Sequence, residues 1–144
     1  MEGSNAMLRI HHEDTKARRF SEETEQLAEQ IVDSAFQVHS ALGPGLLESV
    51  YEVCFVHELH RRGIAFETQV HLPVRYRDLK LEAGLRLDVL VAGCIIVEIK
   101  AVETLLPVHK AQLLTYLKLT GHHLGFLINF NVALIKDGLR RMVL

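Results

Sequence analysis

Leu27, Ile31, Ala35, Val38 and Leu42 recur at three- and four-residue intervals, which places them on one stripe of a helix. Ser21 can cap that helix, and Glu22 and Glu23 fall where the helix dipole is positive. Gly43-Pro44-Gly45 ends it, because Pro44 lacks an amide donor and disfavours helical geometry at the residue before it. A second helix then takes Leu47, Val50, Tyr51, Cys54, Phe55 and Leu59 as its core face, with Arg61, Arg62 and Gly63 as cationic last turn and stop.

From Ile64 the period shortens to two. Phe66 to Tyr76, Leu79 to Val91 and Cys94 to Lys100 read as three strands of a meander, with turns at Arg77-Asp78 and Ala92-Gly93. Pro107 suits the first turn of a third helix running through Leu113, Leu114, Leu117 and Leu119 to Gly121, and Leu124 to Phe130 is a buried strand. Val132 to Ile135 and Leu139 to Val143 flank Lys136-Asp137-Gly138, where Asp-Gly favours a tight hairpin turn. A helix between strands needs a crossover onto the same sheet, so the order predicts an α/β fold with a mixed sheet flanked by helices.

Residues 1 to 20 are polar, carry His11, His12, Lys16, Arg18 and Arg19, and show no apolar period, so a flexible leader is expected there and a single domain over 21 to 144. Ser4-Asn5-Ala6 before Met7 reads as a cloning remnant, and no apolar signal-peptide core follows the first residues. The length of 144 residues is that of one domain, able to bury about two thirds of the surface its unfolded chain exposes. No apolar run approaches the roughly 20 residues of a membrane span. Cys54 and Cys94, with no CxxC, fit a reducing, cytoplasmic compartment. A formal charge of −2 excludes coating of nucleic acid by bulk electrostatics while leaving room for a local basic patch.

Ionised side chains within apolar strands are the informative anomaly, since a buried charge is costly without a metal, counter-ion or hydrogen-bond network. Leu85 to Val91 carries Asp88, and Ile95 to Lys100 carries Glu98 and Lys100, which share one face by the i, i+2 rule. A regular two-residue hairpin at Ala92-Gly93 would pair Asp88 with Val97 and send Glu98 to the opposite face. A three-residue loop or one bulge near Gly93 is therefore expected. Two carboxylates, completed by the Ile99 backbone carbonyl and water, suit Mg²⁺ or Mn²⁺ better than zinc. Such an ion polarises a phosphoryl oxygen and activates water, and Lys100 could orient that water or stabilise developing charge. For so short a string, the ordinary alternative is a strand salt bridge.

Joint spacing adds what the short string lacks. Gly45-Leu46-Leu47-Glu48-Ser49-Val50-Tyr51, then Asp88, then Glu98-Ile99-Lys100, then Gln112-Leu113-Leu114-Thr115-Tyr116-Leu117 resembles the GxxExxY group of the PD-(D/E)xK nuclease superfamily, over about Ile31 to Phe130. Leu87 stands where the superfamily name places proline, a position that supplies no ligand. The resemblance implies a restriction-endonuclease-like αβββαβ core, extended here by an N-terminal helix and a C-terminal hairpin. It also implies metal carboxylates at Asp88 and Glu98, a catalytic lysine at Lys100, and a further acidic residue at Glu48. Gln112 and Tyr116, four apart on one helix face, can bind phosphate or hold Lys100, or can simply form an amphipathic rim.

His57-Glu58-Leu59-His60 is one residue short of HExxH and reads as a solvated helix face. His109 is a weak phosphate contact, and His122-His123 reads as loop. Lys110, Lys118, Arg140 and Arg141 could form a basic rim, though scattered surface charge is the usual explanation. The expected activity is Mg²⁺- or Mn²⁺-dependent hydrolysis of nucleic acid, DNA being favoured. The rivals are an inactive module of the same fold that binds nucleic acid or a protein, and a structural homodimer.

Overall fold

A computed structural model describes residues 19–144, so the expected leader lies, up to residue 18, outside the described residues. Ser21 caps α1 (Glu22–Leu42) by accepting the Thr24 amide at 3.1 Å. Gly43 then takes φ +70°, a conformation that ordinary residues resist, and turns the chain toward α2 (Glu48–Arg61). The meander follows as β1 (Phe66–Tyr76), β2 (Leu79–Val91) and β3 (Ile95–Lys100). Helix α3 (Pro107–Thr120) leads to β4 (Leu124–Asn129), and a short 3₁₀ turn at Ile135–Gly138 leads to β5 (Leu139–Val143).

The five strands lie in the order β1-β2-β3-β4-β5, with β3 and β4 parallel and every other neighbouring pair antiparallel. Helices α1 and α2 cover one face, where Ile31, Ala35, Tyr51, Phe55 and Leu59 pack on Val89, Val97, Ile99, Phe126 and Ile128. Helix α3 covers the other, setting Leu113 and Leu117 against Leu87, Ile96, Leu127 and Met142. Burying such side chains contributes roughly 1.5–3 kcal/mol each, which makes the layered sheet the rigid part of the molecule.

Three apolar positions expected inside are not. Leu42 lies at the last turn of α1 and is 39% exposed. Leu47 is the extended residue before α2, 74% exposed, and so belongs to no helix face. Val50, 37% exposed, sits about 100° around the helix from Tyr51, which heads the buried i, i+4, i+8 stripe of Tyr51, Phe55 and Leu59.

The C-terminal hairpin also differs in its parts: Val132 to Ile135 is not a strand, and β5 pairs with β4 instead. Two contacts account for this. His39 Nε2 meets the Val132 carbonyl at 2.7 Å, tying that segment to α1, and Val132 and Ile135 pack into the core beneath it. Gly138 lies so close to the Asn129 carbonyl that a β-carbon would collide with it. Gly138→Ala is expected to destabilise the protein by about 1–3 kcal/mol, as overpacking does, and thermal denaturation followed by circular dichroism measures it.

Candidate active site

Strands β2 and β3 pair regularly at Val91↔Ile95, Leu90↔Ile96 and Val89↔Val97, and there the ladder stops. The connection is a three-residue loop, Ala92-Gly93-Cys94, with Ala92 and Gly93 at φ +51° and +68° and the Cys94 amide bonded to the Val91 carbonyl at 3.0 Å. This is the loop that parity required: one step beyond Val89↔Val97, Asp88 stands level with Glu98.

At that step side chains replace the ladder. The Asp88 amide donates to Glu98 Oε2 at 2.9 Å, and the Ile99 amide donates to Asp88 Oδ2 at 2.9 Å. Each carboxylate thus satisfies a strand amide that the parting backbones would otherwise leave bare, a buried group that is costly without a partner. Because N–H and C=O of one strand residue point the same way, the Ile99 carbonyl turns toward the same gap.

Strand β2 also turns over here. Val89 and Val91 face α1 and α2, whereas Leu85 and Leu87 face α3, although residues two apart normally share a face. On β1 the sides change likewise between Phe66 and Val70. The reversal spans Gln69 and Asp88, single residues set between Thr68↔Val89 and Val70↔Leu87, and Gln69 takes it up with φ +50°. Gln69 Nε2 donates to both oxygens of Glu52, at 3.0 and 2.9 Å, bracing this level of β1 against α2.

Asp88 and Glu98 are 3% and 4% exposed. Loss of water, chiefly, together with the Asp88 charge raises the Glu98 carboxyl to about 8, outweighing the Asp88 amide, Lys100 and Arg86, which lower it. Glu48 opens to solvent in the first turn of α2, and its carboxyl is also raised. Partial burial leads that shift, Lys100 opposes it, and Asp88 adds to it. On α3, burial raises the Tyr116 phenol, as do the charges of Glu98 and Asp88, while a hydrogen bond with the Gln112 side chain opposes them. Lys100 and Asp88 therefore act on both Glu48 and Glu98, Asp88 and Glu98 act on Tyr116, and Gln112 meets Tyr116 alone among these residues.

One contributor escaped the sequence reading, and a second, Tyr51, was read only as a core position of the second helix and a motif residue. Arg86 reaches Asp88 Oδ1 at 3.5 Å and acts on Glu98, Glu48 and Tyr116. Its i−2 spacing from Asp88 was the available signal. Tyr51 donates its hydroxyl hydrogen to the Gly43 carbonyl at 2.6 Å, accepts the Leu46 amide at 3.0 Å and stacks on Phe130 at 4.7 Å. It clamps the loop that delivers Glu48.

The remaining candidates stand apart. Glu58 binds Arg62 at 3.3 Å, and Arg62 also reaches Asp33 of α1 at 2.6 Å, so this pair ties α2 to α1, while His109 Nδ1 accepts the Leu106 amide at the start of α3. Arg141, weighed as part of a basic rim, is 6% exposed and grips both oxygens of Glu25 at 3.0 and 2.9 Å, so it fastens β5 to α1.

A mixed five-stranded sheet between helices, with a carboxylate pair where two central strands part, defines a restriction-endonuclease-like core. A family model described as the PD-(D/E)XK nuclease superfamily matches residues 25–142, and the chain belongs to that superfamily. No curated protein and no solved structure gives a significant match.

The superfamily is typically metal-dependent, and the residues fit a hard divalent ion. Asp88 and Glu98 are oxygen donors, two like charges buried side by side favour a cation between them, and Asp88 Oδ1 and Glu98 Oε1 take no part in the amide bonds. Among the described residues no group of three or more His, Cys, Asp or Glu side chains forms a cage, so carbonyl and water oxygens would have to complete the shell.

The raised Glu98 carboxyl has a thermodynamic signature. Between about 4.5 and 8 the folded state holds a proton that the unfolded state releases, so this contribution to stability is present below pH 4.5 and lost as pH rises through 8. In EDTA, melting temperature is expected to fall across that window by the equivalent of a few kcal/mol. Glu98→Gln, which keeps an oxygen for the Asp88 amide, should flatten the fall relative to wild type.

Proposed function

We propose that the chain is a Mg²⁺- or Mn²⁺-dependent phosphodiesterase of nucleic acid, acting on DNA, and a member of the GxxExxY group within its superfamily. The buried Asp88–Glu98 pair carries this reading. Capping the two strand amides uses one oxygen of each carboxylate, whereas two like charges buried side by side repel each other and are relieved by a divalent cation. Superfamily membership and the gathering of Lys100, Glu48, Gln112 and Tyr116 around the pair support it.

When bound, the ion polarises a phosphoryl oxygen and lowers the pKa of water. Asp88 and Glu98 would hold it, together with the Ile99 carbonyl. Lys100, at the end of β3, brings a positive charge to the oxygens on which negative charge develops during attack. Glu48 faces Lys100 from the start of α2 and orients it or accepts a proton from water. The raised phenol of Tyr116 keeps its proton at neutral pH and can donate it to a phosphate oxygen, with Gln112 fixing its direction.

Mn²⁺ titration calorimetry combined with cleavage assays on single- and double-stranded DNA and RNA tests the proposal. Asp88→Asn keeps an acceptor for the Ile99 amide and is expected to weaken Mn²⁺ binding and lower cleavage at least ~100-fold. Lys100→Ala should lower cleavage by ~100-fold or more while Mn²⁺ binding persists. Metal binding by wild type with no cleavage of any substrate would leave a binding module of nuclease fold and refute hydrolysis.

A further inference from the structure

Strands β1 and β2 run far past the sheet that anchors them. Strand β3 accompanies β2 only through Val89↔Val97, yet β1 and β2 stay paired out to Tyr76↔Leu79 around the two-residue turn Arg77-Asp78. The part beyond Leu72↔Leu85 is a two-stranded ribbon in which every residue from Arg75 to Gly84 is exposed. The four residues of β1 past that pair, Pro73 to Tyr76, reach roughly 13 Å from the core at strand rise.

The ribbon is built to bend. Between Leu72↔Leu85 and Val74↔Leu81 one residue of β1, Pro73, faces three of β2, Glu82, Ala83 and Gly84. Pro73 gives no amide to the ladder, and a β-carbon on Gly84 would lie 2.5 Å from Val74 Cγ2, so the irregularity depends on both.

Its two faces differ in chemistry. Val70, Leu72, Val74, Leu85 and Leu87 pack toward α3. By alternation the opposite face carries the pairs His71↔Arg86 and Arg75↔Lys80, and Arg77 stands at the tip, 5.5 Å over the Tyr76 ring. Residues 71–86 hold four Arg or Lys against two Asp or Glu, a surplus of two positive charges in a chain whose net charge is −2. The basic face begins at the carboxylates themselves, through Arg86 at 3.5 Å from Asp88.

We infer that this ribbon is a duplex-DNA-binding arm, lodging in a major groove while its basic face follows the phosphate backbone toward Asp88 and Glu98. Four observations converge: a surplus of positive charge on one face, where Glu82 pairs with Lys80 at 3.8 Å and leaves the arginines unmatched in number, continuity of that face with the carboxylate pair, exposure of both faces, and the width of a two-stranded ribbon. The major groove of B-DNA admits such a ribbon, whereas the deep, narrow major groove of A-form RNA does not. Tyr76, Leu79 and Leu81, 64%, 54% and 50% exposed, give the other face apolar surface for sugars and thymine methyls. The inference rests on nucleic acid being the ligand and deepens the proposal above.

Anisotropy of a fluorescein-labelled 20-base-pair DNA duplex, titrated with wild type and with Arg75→Ala/Arg77→Ala/Lys80→Ala in EDTA over a series of salt concentrations, tests it. The triple variant should bind about 10-fold or more weakly near 0.1 M salt, with the slope of log affinity on log salt reduced by about 3. Lys80→Glu, at a side chain 41% exposed, replaces the triple variant should that one misfold, and should weaken binding in the same direction. Unchanged affinity and slope overturn the arm and leave hydrolysis standing, as does wild type that cleaves single strands in Mn²⁺ but binds no duplex. Equal affinity for an RNA duplex overturns insertion into a major groove. Ribbon-dependent duplex binding without cleavage in Mn²⁺ upholds the arm while hydrolysis fails. A dimer in sedimentation that Tyr76→Ser/Leu79→Ser/Leu81→Ser dissociates, with duplex affinity indifferent to the charge variants, makes the ribbon an interface between copies and overturns the inference.

Discussion

Where β2 leaves β3, two backbone amides lose their strand partners, and the carboxylates of Asp88 and Glu98 take them up crosswise. This exchange does two things with the same atoms. It ends a sheet ladder without orphaned donors, which in a buried setting would cost about 1–3 kcal/mol each. It also locks the two carboxylates level with each other, using one oxygen of each, while Asp88 Oδ1 meets Arg86 at 3.5 Å. Rigid placement of acidic groups usually demands a separate shell of supporting side chains, but here the amides of the strand ends are that shell.

The electrostatic consequence follows directly. Amide bonds favour the charged form of a carboxylate, yet Glu98 still stands near 8, because burial and the neighbouring Asp88 charge outweigh them. Lys100 and Arg86 relieve the pair from opposite sides, one at the end of β3 and the other on β2, and α2 and α3 close the surround with Glu48 and Tyr116. The layered core explains why these elements hold their places. Tyr51, buried and stacked on Phe130, pins the Gly43 to Leu46 loop and so fixes the start of α2, while Gly125 lets Leu113 of α3 approach β4 to 3.0 Å from where a β-carbon would sit.

Strand β2 belongs to two structures at once. Its last residues, Val89 to Val91, are buried members of a layered sheet, and its first, Leu79 to Gly84, are half of an exposed ribbon. Asp88 lies at the joint, where the strand turns over opposite the left-handed Gln69. Under the proposed function, a long polyanion has to be brought to a small acidic site. A strand that carries the site on its buried segment and basic residues on its projecting one joins the two tasks along one piece of backbone.

Much of this was written in local patterns. The helical stripes, the Ser21 cap, the Gly-Pro-Gly stop and the alternating strands are short-range signals, and the helix and strand limits of the central region followed from them with little error. The need for an odd connection at Gly93 was also legible, since side-chain parity across a hairpin is simple geometry, and the three-residue loop meets it. Local pattern could not assign the partner of β5. Asp-Gly proposed a hairpin with Val132 to Ile135, but His39 and the core claimed that segment, and β4 offered the open edge. Nor could it find the reversal at Gln69 and Asp88, which arises only when two strands and both helical layers compete for the same side chains. Residue types and spacing along the chain determined the elements and the superfamily to which the chain belongs. Tertiary packing decided which amides Asp88 and Glu98 answer, how strongly they hold a proton and which way the ribbon points, because those depend on groups brought together from distant parts of the chain.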